Sequence, residues 1–166
     1  MTCDVNRRAA TSWWSLRAGD GVLGRPMAPK WVREHTPGVA ADLSHLDVGA
    51  AANTETVAQL IAHLENQGIE VRSHGRGGPR FVAGWIRGGV THIAEVEQLT
   101  TGSEEGQIRL GLGQLLDYVH QLESQSTCGA LRPVLVLEKE PRHVRWESLF
   151  QSRDVLLTWA PGFPGC

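Results

Sequence analysis

The sequence contains few cysteines, and their spacing excludes the sites that cysteines commonly build. Cys3, Cys128 and Cys166 are the only three among 166 residues, and no C-x-x-C pair occurs. This pattern supports neither a zinc knuckle nor a framework of disulfide bonds. A reducing, cytoplasmic setting is therefore the simpler prediction.

Long hydrophobic runs are also absent. No stretch approaches the roughly 18 consecutive apolar residues that a membrane-spanning helix requires, and the first residues, MTCDVNRRAATSWW, lack the apolar core of a signal peptide. We therefore expect no contact with a membrane. Apolar residues make up 41% of the chain and charged residues 20%, which is typical of one globular domain.

Lysine is nearly absent, because Lys30 and Lys139 are the only two among 16 basic residues. The net charge of −2 excludes a protein that coats DNA through an overall positive charge. A local basic segment nevertheless exists, since no acidic residue occurs between Glu70 and Glu95. This segment holds four arginines, which predict contacts with phosphates or, alternatively, a solvated surface: Arg72, Arg76, Arg80 and Arg87.

Two common catalytic motifs are missing. The glycine loop HGRGGP does not end in Gly-Lys-Ser/Thr, so it is not a phosphate-binding P-loop. No Gly-x-Ser-x-Gly sequence occurs, and Cys128 has no histidine close by in a predicted loop. These absences argue against nucleotide hydrolysis and acyl transfer.

Hydrophobic periodicity predicts an α/β domain with a mixed sheet flanked by helices. The first predicted helix is TETVAQLIAHLENQ, capped by Asn53 and Thr54 and ended by Gly68. The elements that follow are a three-strand meander, a helix, a strand, a short helix and a last strand: Ile69–Ser73, Arg80–Arg87, Val90–Val96, Gln107–Gln125, Arg132–Glu138, 143–151 and Val155–Trp159. The domain is predicted over 53–160, with a tail at 161–166.

Residues 1–52 form an extension that packs on the domain or precedes it. Trp13 and Trp14 predict a flap on the domain, and the alternative is a surface made with Trp31 on which nucleic-acid bases stack.

Two glutamates end the third predicted strand. Alternate residues of a strand point the same way, so Glu95 and Glu97 share one face, about 6.6 Å apart. A divalent cation such as Mg²⁺ would relieve the repulsion between them, and the Val96 carbonyl could supply a further ligand. The alternative is that the strand emerges into solvent and both carboxylates are hydrated.

The next helix carries Gln114 and Tyr118 four residues apart, so both lie on one flank. Their polar tips can reach the edge of the sheet or a bound nucleotide. Gly111 and Gly113 lower the helix propensity, by roughly 1 kcal/mol each. Either close packing against the sheet or close approach of a phosphate backbone explains them.

The segments FVAGW, THIAEVEQLT, EEGQIRLGLGQLLDY and RPVLVLEKEP, in this order, resemble the PD-(D/E)XK nuclease-like superfamily. The resemblance covers about 53–160 and is strongest to small bacterial members related to restriction endonucleases and to exonucleases with a Gln-x-x-x-Tyr helix. It implies a restriction-endonuclease-like core in which two strands present an aspartate and a Glu-x-Lys motif to Mg²⁺ or Mn²⁺. Glu95 matches the glutamate, and Gln114 with Tyr118 matches the glutamine–tyrosine pair.

Two positions depart from the pattern. Glu97 stands at the lysine position and Val82 at the aspartate position. Some branches of the superfamily carry a glutamate in place of the lysine, whereas a valine cannot replace a metal ligand. Glu70 or Asp117 would have to compensate. Impaired cleavage is therefore expected.

Three functional hypotheses follow. In the first, a nuclease-derived pseudoenzyme binds nucleic acid, with DNA favoured, but no longer cuts it. In the second, an active metal-dependent nuclease uses Glu95 and Glu97 as metal ligands and Gln114 and Tyr118 to position the substrate. In the third, the fold is a scaffold for protein interaction, and a homodimer or a protein partner remains open.

Overall fold

The computed structural model describes residues 22–30, 47–99, 104–124 and 129–166. In these ranges the chain forms six strands and three helices. In chain order they are β1 (Leu23–Pro26), α1 (Asp47–Glu65), β2 (Arg72–His74), β3 (Ala83–Arg87), β4 (Val90–Glu97), α2 (Glu104–Ser124), β5 (Leu131–Leu137), α3 (Arg145–Gln151) and β6 (Leu156–Trp159).

The six strands form one mixed sheet in the order β1-β2-β3-β4-β5-β6. The first four are antiparallel to their neighbours, whereas β4, β5 and β6 are parallel. The predicted α/β class and mixed sheet are therefore confirmed. β1 was not predicted, and it adds a strand from within 1–52 to the edge of the sheet, where Leu23 pairs with His74.

Helices cover both faces of the sheet. Under α1 the core is built from Val57, Leu60, Ile61 and Leu64 of the helix with Ala83, Trp85, Ala94, Val96, Val134 and Val136 of the strands. On the other face, Ile108 and Leu115 of α2 pack with Trp146 and Phe150 of α3 against Leu135 and Leu137. The chain thus forms three layers, and alternate residues of β4 and β5 face opposite helices.

Several predicted boundaries differ from the observed ones. The Asn53–Thr54 cap is wrong, because α1 begins at Asp47 and continues through an alanine-rich stretch with high helix propensity. β2 is shorter and later than predicted. The hairpin at Gly88 and Gly89 is confirmed, with φ values of 59° and 79° that suit the tight turn between β3 and β4.

Helix α2 is the longest in the described ranges, and its polar and apolar faces are separate. Ile108, Leu115 and Leu122 are buried against the sheet, while Leu110 and Leu116 are exposed. None of the helices in the described ranges is long and apolar enough to cross a membrane. The tryptophans predicted to form a flap, Trp13 and Trp14, and also Trp31, lie outside the described residues.

Candidate functional site

Glu95 and Glu97 lie at the carboxyl end of β4, on the face that packs against α2. Their neighbours Ala94 and Val96 face α1 instead, as the alternation of the strand predicts. Glu97 is only 9% exposed, and the Glu95 Oε2 atom is buried. The alternative in which both carboxylates are hydrated beyond the end of the strand is therefore wrong.

Burial makes this pair of carboxylates hard to ionise. Burial raises the pKa of Glu95 to about 8, with a further contribution from the negative charge of Glu97. Burial likewise raises the pKa of Glu97 to about 7. The Val96 N–H and the Tyr118 hydroxyl act in the opposite direction on Glu95, because hydrogen bonds to a carboxylate stabilise its charged form. Near neutral pH the pair therefore favours a bound proton or a cation.

Helix α2, which packs on the face of β4 that carries the two glutamates, contains Gln114 and Tyr118. A side chain at Gly111 would meet Glu97, and Tyr118 lies within hydrogen-bonding reach of Glu95, so α2 runs back along β4. Gln114 lies between these two points on the helix. Burial raises the pKa of Tyr118, and the charge of Glu95 raises it further. The structure therefore brings Tyr118 to the carboxylate pair, with Gln114 one helical turn earlier on the same flank of α2.

Glu95 and Gln114 each have one side-chain oxygen atom that receives no hydrogen bond from the described residues. Glu95 Oε2 and Gln114 Oε1 are buried and unpartnered within the described part of the chain. A buried acceptor without a donor destabilises a protein by about 1–3 kcal/mol. A proton on Glu95 or a bound cation would remove this penalty at the Glu95 carboxylate.

The two glycines of α2 have different environments. A Cβ atom at Gly111 would lie 2.5 Å from Leu135 Cδ1 and 2.8 Å from Glu97 Cγ, whereas a Cβ at Gly113 would meet nothing within 4 Å. Gly111 therefore permits the close approach of α2 to the sheet and to Glu97. The packing explanation holds for Gly111 and does not apply to Gly113.

No acidic residue occupies the position of the expected aspartate. Ala83 pairs with Ala94, and the N–H of the preceding residue, Val82, also donates to the Ala94 carbonyl, at 2.9 Å. The Val82 side chain packs into the core under α1. Within the described ranges, no group of three or more histidine, cysteine, aspartate or glutamate side chains could hold a metal.

Neither predicted substitute compensates for Val82. Glu70 forms an ion pair with Arg72 at 2.7 Å. Continued from Arg72, the strand registers place Glu70 level with Thr91, which is about 13 Å along β4 from Glu95. Asp117 is exposed on α2 and accepts a hydrogen bond from Gln121 at 2.6 Å. The contacts of these two residues therefore give no support to compensation by either of them.

The remaining oxygen atoms are of the chemical types that a small divalent cation takes as ligands. Mg²⁺ binds oxygen ligands and commonly uses one or two carboxylates together with water or phosphate oxygens. The Ala94 carbonyl accepts from the residue that precedes β3, and the Glu97 carbonyl accepts from Glu138 beyond β5. Because successive carbonyls of a strand point in opposite directions, the Val96 carbonyl points to the same side as that of Ala94, toward the β3 edge of β4. Glu95, Glu97 and the Val96 carbonyl are thus the oxygen donors at this end of β4.

The four arginines do not form one surface. Arg76 and Arg80 are exposed in the β2–β3 loop, at the end of the sheet where Glu97 lies. Arg72 is engaged by Glu70. Arg87 pairs with Val90 at the opposite end, about 16 Å along β4 from Glu95. The structure therefore brings only Arg76 and Arg80 to the same end of the sheet as the carboxylates.

Phe81 is a residue of this region that the sequence did not identify. It is buried on the α2 face with Ile93 and Leu122, and its ring meets that of His74 edge-on, at 6.2 Å between centroids. The chain bends at Val82, so Phe81 rather than Val82 projects toward α2. A break in strand alternation at a single residue leaves no signal in hydrophobic periodicity.

Comparison with known proteins found no family model, no curated protein and no solved structure that matches this chain. The geometry of the carboxylate pair therefore has to carry the functional argument.

Proposed function

We propose that this protein is a cytoplasmic nucleic-acid-binding domain of the PD-(D/E)XK nuclease type, with DNA as the favoured ligand and with impaired cleavage. The observation that carries this proposal is the buried Glu95–Glu97 pair, with the Glu95 Oε2 atom unpartnered at the carboxyl end of a central strand. The order of helices and strands and the mixed sheet agree with the core that the sequence resemblance implies.

In this proposal Glu95, Glu97 and the Val96 carbonyl hold Mg²⁺ or Mn²⁺. Such an ion, when bound, activates a water molecule and neutralises charge on a phosphoryl group. Tyr118 orients the Glu95 carboxylate through its hydroxyl, and the Gln114 Oε1 atom is available to accept a hydrogen bond from a ligated water. These roles require only side chains that already surround the pair.

Two features of the site weaken cleavage. Val82 supplies no ligand, so the cation lacks the carboxylate that the aspartate position provides in the related nucleases. Glu97 puts a negative charge where the related nucleases carry a lysine, and it cannot stabilise the charge that develops on the phosphoryl group. Binding without efficient turnover is the expected result.

Arg76 and Arg80 are the residues that we propose to contact the nucleic-acid backbone. Both are exposed at the same end of the sheet as the carboxylates. Arginine binds phosphate through a planar fork of donors, so two such residues suit a backbone that lies across the end of the sheet.

Binding and cleavage are tested together on plasmid and single-stranded DNA, with Mg²⁺ or Mn²⁺ and with EDTA. The variant is Glu95→Gln, and its control is Glu123→Gln, the same change at an exposed position on α2. We expect DNA binding with little cleavage in the wild type, and loss of cation binding only in Glu95→Gln. Efficient cleavage that depends on Glu95 would identify an active nuclease instead. Absence of both DNA and cation binding would overturn the proposal and favour a scaffold.

A further inference from the structure

A cleft with a volume of about 580 Å³ opens at the start of β4 and β5, at the end of the sheet opposite the carboxylate pair. Arg87, His92, Arg132, Asp154 and Cys166 are among the residues that line it. Sites for small organic ligands commonly enclose about 300–1,000 Å³, so a molecule of the size of a mononucleotide fits.

The strand registers bring two arginines to either side of β4. Arg87 of β3 pairs with Val90, and Arg132 of β5 pairs with His92. Both arginines belong to the sheet face that carries Trp85 and Val134. Their strands are separated by β4 alone, so their backbones are about 10 Å apart. Long guanidinium side chains can close on one anion across that span.

His92 forms a fixed floor between the arginines. Its ring stacks on Trp85, with 5.2 Å between the centroids and 8° between the planes, and its Nδ1 atom lies 3.2 Å from the Val90 carbonyl. Burial lowers the pKa of His92, and the positive charges of Arg132 and Arg87 lower it further. The fields of both arginines therefore converge on the floor of the cleft.

The two arginine side chains of the cleft are free of ion pairs within the described residues. Both arginines are exposed, and in the part of the chain that the structure describes neither guanidinium belongs to an ion pair. Among the described residues that line the cleft, Asp154 is the acidic one. Among the side chains that line the cleft, two guanidinium groups therefore face one carboxylate, and this surplus of cationic side chains suits an anion.

We infer that this cleft is a binding site for a small phosphorylated ligand, with the phosphate group held between Arg87 and Arg132. Guanidinium groups bind phosphate oxygens through paired, charge-assisted hydrogen bonds. The remaining volume of the cleft accommodates an organic group attached to the phosphate. The inference does not depend on the carboxylate pair, because the two sites lie at opposite ends of the sheet.

Calorimetric titration at low ionic strength with inorganic phosphate, AMP and adenosine tests this inference. The variants are Arg87→Gln and Arg132→Gln, and Arg25→Gln is the control because Arg25 is exposed on β1, at the far edge of the sheet. Loss of a charge-assisted contact is expected to weaken phosphate and AMP binding about tenfold or more in either cleft variant. Binding by Arg25→Gln should equal that of the wild type.

Comparison of phosphate, AMP and adenosine shows which part of the ligand the cleft binds. Equal affinity for phosphate and AMP would support a site for the phosphate group alone, whereas tighter binding of AMP would support a site that also contacts the organic group. The inference would be overturned if adenosine bound as tightly as AMP. It would also be overturned if neither phosphate nor AMP bound at 10 mM, which is about the weakest affinity of interest. A loss of affinity for a DNA duplex in both cleft variants, without any binding of phosphate or AMP, would assign the cleft to nucleic acid instead.

Discussion

At the scale of single residues, the protonation of Glu95 and Glu97 is the property with the most consequences. Both side chains are held against α2 by the alternation of β4, and both have pKa values well above 4.5. The folded protein therefore binds protons that the unfolded chain would release. Stability and cation binding must both depend on pH through these two groups.

The metal-free protein is expected to lose stability as the pH rises. A raised pKa stabilises the folded state fully below the unfolded pKa, near 4.5, and this contribution disappears as the pH passes through about 7 and 8. We expect the free energy of unfolding to fall by several kcal/mol, roughly 5, between pH 5 and pH 9. Thermal unfolding in EDTA measures it. Glu95→Gln should flatten the profile, and Glu123→Gln should leave it unchanged; an unchanged slope in Glu95→Gln would contradict the assignment.

Cation binding is expected to show the opposite dependence on pH. A divalent cation must displace protons from Glu95 and Glu97, so its affinity should rise between pH 6 and pH 8.5. Titration of Mn²⁺ in two buffers of different ionisation enthalpy measures the protons released. About one proton or more per ion is expected near pH 7. Binding without any proton release would show that the cation lies elsewhere.

At the scale of single elements, α2 is the element that completes the carboxylate pair. Its contact with the sheet at Gly111 sets how closely Gln114 and Tyr118 approach Glu95. A substitution that pushes α2 outward would therefore act on the site without changing any of its polar groups.

The two glycines of α2 give a matched pair of substitutions. Gly113→Ala is expected to stabilise the protein by about 1 kcal/mol, because alanine favours the helix and its methyl group meets nothing. Gly111→Ala is expected to destabilise it by about 1–3 kcal/mol, because the methyl group would overlap Leu135 and Glu97. Chemical denaturation measures both. Equal effects of the two substitutions would contradict the close contact at Gly111.

The elements that the sequence predicted well are those with strong local signals. The spacing of Ile108, Leu115 and Leu122 predicts α2, and Gly88 with Gly89 predicts the hairpin. β1 has the sequence LGRP, with glycine and proline in four residues, and it is a strand only because β2 offers an edge. Such pairing is a tertiary effect, and local propensity cannot report it.

Part of the candidate site was also predictable, because the periodicity of strands and helices is a local signal. The common face of Glu95 and Glu97 follows from strand alternation alone, and so does the common flank of Gln114 and Tyr118. The burial of the carboxylates depends on how closely α2 approaches, which the sequence does not specify. The bend at Val82 and the separation of Arg87 from Arg80 also depend on the assembled sheet.

At the scale of the whole molecule, the sheet separates two polar sites. The carboxylate pair lies at the carboxyl end of β4, where ligands of open α/β sheets commonly bind. The arginine cleft lies at the amino ends of β4 and β5. The carboxylate pair suits a cation at one end of the sheet, and the arginine cleft suits an anion at the other.

DNA binding is expected to depend on only one of these ends. Replacement of Arg80 by glutamine should weaken binding and reduce the slope of log K against log salt by about 1, as expected for one lost phosphate contact. Arg87→Gln should leave both quantities unchanged, because Arg87 lies at the opposite end of the sheet. Fluorescence anisotropy at several salt concentrations measures this. A larger effect of Arg87→Gln than of Arg80→Gln would reverse the proposed orientation of the DNA.

The alternation of β4 also determines which changes of chain length this protein can accept. A deletion of one residue within Val90–Glu97 would exchange the two faces of the strand on one side of the deletion. Glu95 would then enter the apolar core under α1, Val96 would replace it beneath Tyr118, and His92 would leave Trp85. Homologous chains should therefore vary in length in the loops around β4 and keep the length of the strand itself.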